Sequence, residues 1–316
     1  GIVAARPAAD DGFAGVAPEA RVVSIRQSSG AFRAKASRSD AQEASMGAGY
    51  GPLITLARAI VRAADLGARV ITIAETACVP AGSEVDLRAV SSALAHARRR
   101  DAVVVAAAGN VTDGSECREQ NPASAASAEA AWAQVRTTAI PALFGTEILT
   151  VGAVDTNTGQ AAEFSLRGPW VTVAAPGTEV VSVAGGRPVA ATDGPDGPRR
   201  LAGTSYAAAY AAGTAALVRA RFPELGADQV IDRIVRTARG GPHRDAAIGF
   251  GVIDPVAALA AELPDVDDLP DPAADRPVAA PPPDPPAPAP AGPLSAVTAV
   301  CAVLLVGVWA ATRRRD

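Results

Sequence analysis

Ala102-Val103-Val104-Val105-Ala106-Ala107-Ala108-Gly109-Asn110 is the stretch on which the fold turns. Its centre is an unbroken β-branched run. A strand buried on one face alternates apolar and polar residues, whereas a strand buried on both faces does not alternate. Strands of the second kind belong to parallel sheets covered by helices on both sides. Gly109 stops the run, and Asn110 follows at the strand's carboxyl end, where ligand sites of such sheets lie.

The segments on either side of this strand alternate in kind. Toward the amino side, Val85 to Arg99 reads as a helix and Arg69 to Ala74 as a β-branched strand. Leu53 to Leu66 has helical apolar spacing, with Gly67 ending it. Arg21 to Arg26 (Arg-Val-Val-Ser-Ile-Arg) reads as another strand, and Gly1 to Arg6 as the end of an apolar helix. Toward the carboxyl side, Ile148 to Val154 and Val171 to Ala174 read as strands, and Thr204 to Arg221 as a long Ala-rich helix. The alternation predicts an α/β fold of three layers around a mostly parallel sheet.

Composition divides the chain into four parts. Residues 1–262 are expected to form one globular domain, residues 263–293 a Pro-rich linker, residues 294–312 a transmembrane helix and residues 313–316 a cytoplasmic tail. The 294–312 run carries no charge, and its nineteen residues would span about 28 Å as a helix, close to a hydrocarbon core of about 30 Å. Arg313, Arg314 and Arg315 follow at once, so the positive-inside rule puts the tail in the cytoplasm and the domain outside. The linker contains Pro281-Pro282-Pro283-Asp284-Pro285-Pro286, which excludes a helix and favours extended polyproline. The net charge of -4 gives no electrostatic reason to expect nucleic acid. No spacing of metal ligands stands out, and no cofactor is expected. Cys78 and Cys117 lie in the globular part; an extracytoplasmic domain would allow them to pair, and two separate thiols are the other reading.

Chemistry concentrates in three places. Gly203-Thr204-Ser205-Tyr206-Ala207-Ala208 puts a Ser at a helix N-terminus, where free N–H groups and the helix dipole favour developing negative charge. Asn110 at the end of a buried strand can aim an amide into the same site. Gly152-Ala153-Val154-Asp155, Phe164-Ser165, Gly168 and Val173-Ala174-Ala175-Pro176-Gly177 complete the set. Taken singly, the Ser is an ordinary helix cap and the Asn an ordinary turn.

In this order, the three elements resemble the subtilisin-like serine proteases over roughly residues 1–260. The resemblance implies a subtilisin-like fold, Ser205 as nucleophile and Asn110 as oxyanion donor. A narrower resemblance to the mycosins, the subtilisin-like proteases of type VII secretion systems, rests on Gly1-Ile2-Val3-Ala4-Ala5-Arg6-Pro7, Gly15-Val16-Ala17-Pro18-Glu19-Ala20 and Ser24-Ile25-Arg26-Gln27. It implies a disulfide between Cys78 and Cys117, a peptide or protein substrate, and a type VII secretion membrane complex as partner. It also implies a single-pass cell-membrane protein with its peptidase domain outside the cytoplasm. Thr72-Ile73-Ala74 departs from the family's Asn, apolar residue and Ser on the strand bordering the substrate cleft, which leaves substrate preference open.

Subtilisin-like catalysis uses Asp, His and Ser in that chain order. The family's His-Gly-Thr motif precedes a run that Gly1-Ile2-Val3-Ala4 matches, so the His is expected just before residue 1 and the Asp further upstream. The two histidines present, His96 and His243, sit in an Arg-rich helix end and a polar loop and read as solvated. Without a base, Ser205 keeps its proton near neutral pH. This chain alone is therefore expected to be inactive, and the enzyme to be the longer protein. The alternative is a non-catalytic, membrane-anchored structural subunit of a secretion complex.

Overall fold

The structure is a computed structural model that describes residues 1–7, 12–28, 51–112, 115, 117–123, 127–194, 197–240 and 244–263. In chain order the elements are α1 (Leu53–Asp65), β1 (Val70–Ile73), β2 (Ala77–Pro80), α2 (Arg88–Arg99), β3 (Val103–Ala107), α3 (Ala128–Ala133), β4 (Thr137–Ile140), β5 (Leu149–Val154) and β6 (Val173–Pro176). They continue with β7 (Ser182–Ala184), β8 (Arg187–Val189), β9 (Ala191–Gly194), β10 (Gly197–Arg200), α4 (Thr204–Arg221), α5 (Ala227–Arg236) and α6 (Pro255–Ala260).

The unbroken run at β3 is the centre of a four-stranded sheet ordered β1-β3-β5-β6. All three ladders are parallel, with Val70 opposite Val103, Val105 opposite Leu149 and Val151 opposite Val173. Side chains on a strand alternate between faces. Val103, Val105 and Ala107 therefore pack under α4 and α5 with Ala208, Ala211 and Val230. Val104 and Ala106 pack on the other face with Ile60 of α1 and Val90 and Leu94 of α2. Both faces are covered, which is why the sequence shows no polar alternation there.

α4 lies close to the sheet because its inward residues are small: Ala207, Ala208, Ala211, Ala212 and Ala215 are buried. Gly213 allows a second close approach; a Cβ there would stand 2.6 Å from Val16 Cβ. The far end of α4 is tied to the sheet by Arg219, whose guanidinium meets both carboxylate oxygens and the carbonyl of Asp101 just before β3. The Asp101 carboxyl also accepts from the Ala227 amide at the start of α5. These bonds, Arg219 first, hold the Asp101 carboxyl below its ordinary pKa.

Residues 1–5 make one turn, closed by Ala5 N–H donating to Gly1 C=O. One expectation for the amino-terminal segments is corrected. Residues 21–26 form no strand: among the described residues no ladder bond reaches them, and Val22 and Val23 are 69% and 59% exposed. They run beside an open groove of about 1180 Å³ whose other wall is β1. A strand exists only where a neighbour completes its hydrogen bonds, and among the described residues none does so here. α2 begins at Arg88, later than Val85, because Asp86 turns back to accept from the Arg88 backbone and guanidinium.

Among the described residues no helix is long and apolar enough to cross a membrane. The expected span at 294–312, the linker from residue 264 onward, the tail and His243 all lie outside the described residues.

Candidate active site

Parallel β3 delivers Asn110 to the carboxyl end of the sheet, three residues past its last strand residue. Gly109 makes this exit possible with a φ of +110°. Two neighbouring bonds fix the Asn110 backbone: Leu166 N–H donates to Gly109 C=O at 3.0 Å, and Val111 N–H to Phe164 C=O at 2.7 Å. Asn110 also bridges to Ser165, whose buried hydroxyl accepts from the Ala153 amide of β5. The Phe164-Ser165 pair thus acts as a clamp between strand ends.

β6 ends in Pro176-Gly177, and the Gly177 carbonyl accepts from Gly203 N–H at 2.8 Å. A Cβ on Gly177 would stand 2.4 Å from Ala153 Cβ, so only glycine lets the two turns meet. Gly203, with φ 155° and ψ 154°, caps α4, and Ser205 occupies its first turn, half-buried. Asp155 serves the neighbouring turn: it accepts from the amides of Asn157 and Thr158 and the hydroxyl of Thr178. Those bonds, the Thr158 amide first, lower its pKa.

Thr204 joins the two halves. Its amide and its hydroxyl both donate to Asn110 Oδ1, at 2.9 and 3.0 Å, while its hydroxyl accepts from Gly109 N–H at 3.2 Å. A backbone amide can only donate, so the side-chain oxygen of Asn110 must be the atom facing Thr204. The NH₂ group then faces the other way. A Cβ placed on Gly203 would lie 3.4 Å from Asn110 Nδ2 and 3.2 Å from Ser205 Oγ. The hydroxyl and the amide donor therefore border one methyl-sized space at the N-terminus of α4. An oxyanion there would meet the amide and the positive end of the helix dipole.

Ser205 and Asn110 were singled out in the sequence, and the fold brings them together. Thr204 was not given a role there; the signal was present as the middle residue of Gly-Thr-Ser, but its bond to Asn110 spans 94 residues. Cys78 of β2 and Cys117 are joined as a disulfide, both nearly buried. His96 is remote from the site. It lies in the last turn of α2, on the face opposite α4, at the end where β3 begins, and its Nε2 meets Asp65 of α1 at 2.8 Å. Among the described residues no three His, Cys, Asp or Glu side chains gather as metal ligands.

Residues 1–251 match the family described as "Subtilase family". Over 99% of its length the chain is 43% identical to Mycosin-1 of Mycolicibacterium smegmatis, covering 70% of that protein. The crystal structure of MycP1 from the ESX-1 type VII secretion system superposes with a TM-score of 0.77 at 44% identity, over 83% of this chain and 70% of that one. A chain in the structure of an intact ESX-5 inner membrane complex superposes with a TM-score of 0.73 at 37% identity, over 100% of this chain and 76% of that one.

Proposed function

The chain belongs to the subtilase family of serine endopeptidases, among the mycosins, and from that premise we propose that Ser205 is the nucleophile and Asn110 the oxyanion donor of a type VII secretion peptidase. The observation that carries this reading is the convergence of Ser205 Oγ and Asn110 Nδ2 on one small space. An extended substrate peptide presents its scissile carbonyl there. Ser205 Oγ attacks the carbonyl carbon as a base takes its proton, and the carbonyl oxygen becomes an oxyanion held by Asn110 Nδ2. Collapse expels the amine and leaves an acyl-Ser205, which water hydrolyses.

The base and its orienting carboxylate are proposed to be a His and an Asp carried by residues outside this sequence, so that this chain alone turns over no peptide. The groove beside β1 supports that reading. At roughly 160 Å³ per packed strand residue, from a rise of about 3.3 Å, a strand spacing of about 4.8 Å and a layer spacing of about 10 Å, its volume of about 1180 Å³ suits one further strand of about seven residues. The domain is proposed to work outside the cytoplasm, held by the apolar run at 294–312, within a secretion membrane complex.

The test is labelling of the complete gene product with a serine-directed fluorophosphonate. Ser205 is expected to label and the Ser205→Ala variant not to. Absence of labelling under conditions where a control subtilisin reacts would remove the peptidase reading. A structural-subunit reading draws on the likeness to the ESX-5 inner membrane complex chain. It is favoured if Ser205→Ala leaves secretion intact while deletion of the gene stops it.

A further inference from the structure

Asn110 is fixed on its two flanks by different means. On one flank the backbone bonds of Phe164 and Leu166 hold it to the chain beside β5. On the other flank lies the segment from Val111 to Gln120, whose described residues form neither helix nor strand. Two contacts from that segment reach the Asn110 region. Ser115 Oγ is 3.2 Å from Asn110 C=O and 3.0 Å from Cys117 C=O. Cys117 Sγ stands 3.3 Å from where a Gly109 Cβ would be, with Leu166 Cδ2 at the same distance. The Cys117 sulfur thus occupies the side that Gly109 leaves open, next to the residue whose unusual φ aims Asn110.

The sulfur is held there covalently. Its partner Cys78 belongs to β2, and β2 is locked to β4 with Cys78 opposite Ala139. The bridge closes over 39 residues and is buried with Ala108, Leu166 and Trp170. Cys117 is thereby fastened to an antiparallel ladder at the side that Gly109 leaves open.

We propose that the Cys78–Cys117 disulfide is a positioning element for the oxyanion site, holding Gly109 and Asn110 so that Asn110 Nδ2 faces the carbonyl attacked by Ser205. The proposal rests on the peptidase reading above. Opening the bridge removes neither catalytic side chain but lets Cys117 withdraw from Gly109, and the turn that aims Asn110 loses one of its supports. The loss falls on the transition state, because the oxyanion exists only there.

The experiment uses the complete gene product and its Cys78→Ala, Cys117→Ala, Asn110→Ala and Cys78→Ala/Asn110→Ala variants. The readouts are the fluorophosphonate labelling rate at Ser205 and kcat and KM on a peptide, taken where circular dichroism shows each protein folded. Full removal of an oxyanion donor costs about 10²–10³ in kcat, so the displaced donor in Cys78→Ala is expected to cost about tenfold in kcat and labelling, with KM within about twofold. In the Asn110→Ala background the same change is expected to cost nothing further, since the group it positions is gone. An undiminished rate in Cys78→Ala, or an equal drop in both backgrounds, overturns the proposal. If the cysteine variants do not fold, the same comparison is made on folded wild type and Asn110→Ala after dithiothreitol takes both sulfurs to thiols, the reductant leaving as its cyclic disulfide. Unmodified protein that does not label removes the peptidase reading itself, and the role of the bridge with it.

Discussion

β3 and residues 21–26 carry the same kind of sequence and end in opposite states. Val103, Val104 and Val105 are 0–3% exposed and laddered to β1 on one side, and from Val105 onward the strand is laddered to β5 on the other. Arg21-Val22-Val23-Ser24-Ile25-Arg26 is similarly β-branched, yet Val22 and Val23 are exposed and no ladder forms among the described residues. What separates them is whether a neighbour supplies the missing donors and acceptors. β propensity is mostly a statement about fit to a pleated, packed surface, and at residues 21–26 that surface is half absent. The same contrast runs through function. The side of the sheet at β3, β5 and β6 is zipped tight and bears the Ser205–Asn110 pair, while the β1 side stands open.

The comparison can be broken most sharply at the closed side. In the complete enzyme, Asn110→Ala is expected to lower kcat by about 10²–10³, the loss subtilisins themselves show for an oxyanion Asn, with KM little changed in steady-state peptide hydrolysis. Leu149→Ala, at a fully buried position of β5, is expected to cost about 3 kcal/mol of stability in urea unfolding. Thr204→Val keeps the shape but removes the hydroxyl that joins Gly109 to Asn110. It is expected to cost about 1 kcal/mol in unfolding, with a drop in kcat smaller than that of Asn110→Ala.

Acid probes the tie between α4 and β3. The Asp101 carboxyl has a folded pKa below its unfolded value, so its stabilisation is complete above the unfolded value, near pH 4, and is lost as pH falls through the lower folded value. Melting temperatures of the wild type are expected to fall more steeply below pH 4 than those of Asp101→Asn, and parallel curves would show that the tie does not matter. The smallest effect is expected at the open side. Val22→Thr with Val23→Thr should change the stability of this chain by less than about 0.5 kcal/mol. The same pair in the complete protein is expected to cost more, if a further strand covers them there. Equal values in the two proteins would leave the groove without an occupant at those residues.

Much of the fold was legible because its signals are local. The apolar run at β3, the period of α1 with Gly67 at its end, and the small-residue stripe of α4 each declare themselves within a dozen residues. Ser205 and Asn110 were legible as candidates because a strand end and a helix start are punctuated by Gly109 and Gly203. The short ladders of β2 with β4 and of β7 to β10 were not read from the sequence. Their three- and four-residue strands contain Pro, Gly and Arg and show no clean alternation. The expected strand at residues 21–26 failed for the opposite reason: its local signal was strong, but no described residue pairs with it.

By itself the sequence determined that β3 is buried on both faces and that a Ser opens a helix packed against it, since both follow from the side chains of one short segment. Only the tertiary structure decided that Thr204 takes Asn110 Oδ1 and so turns the amide toward Ser205, that the bridged sulfur of Cys117 stands at the open side of Gly109, and that residues 21–26 have no ladder among the described residues. Each of these depends on which distant backbone arrives alongside. A hydrogen bond or a contact is a property of two partners, and only chain folding brings the second one into range.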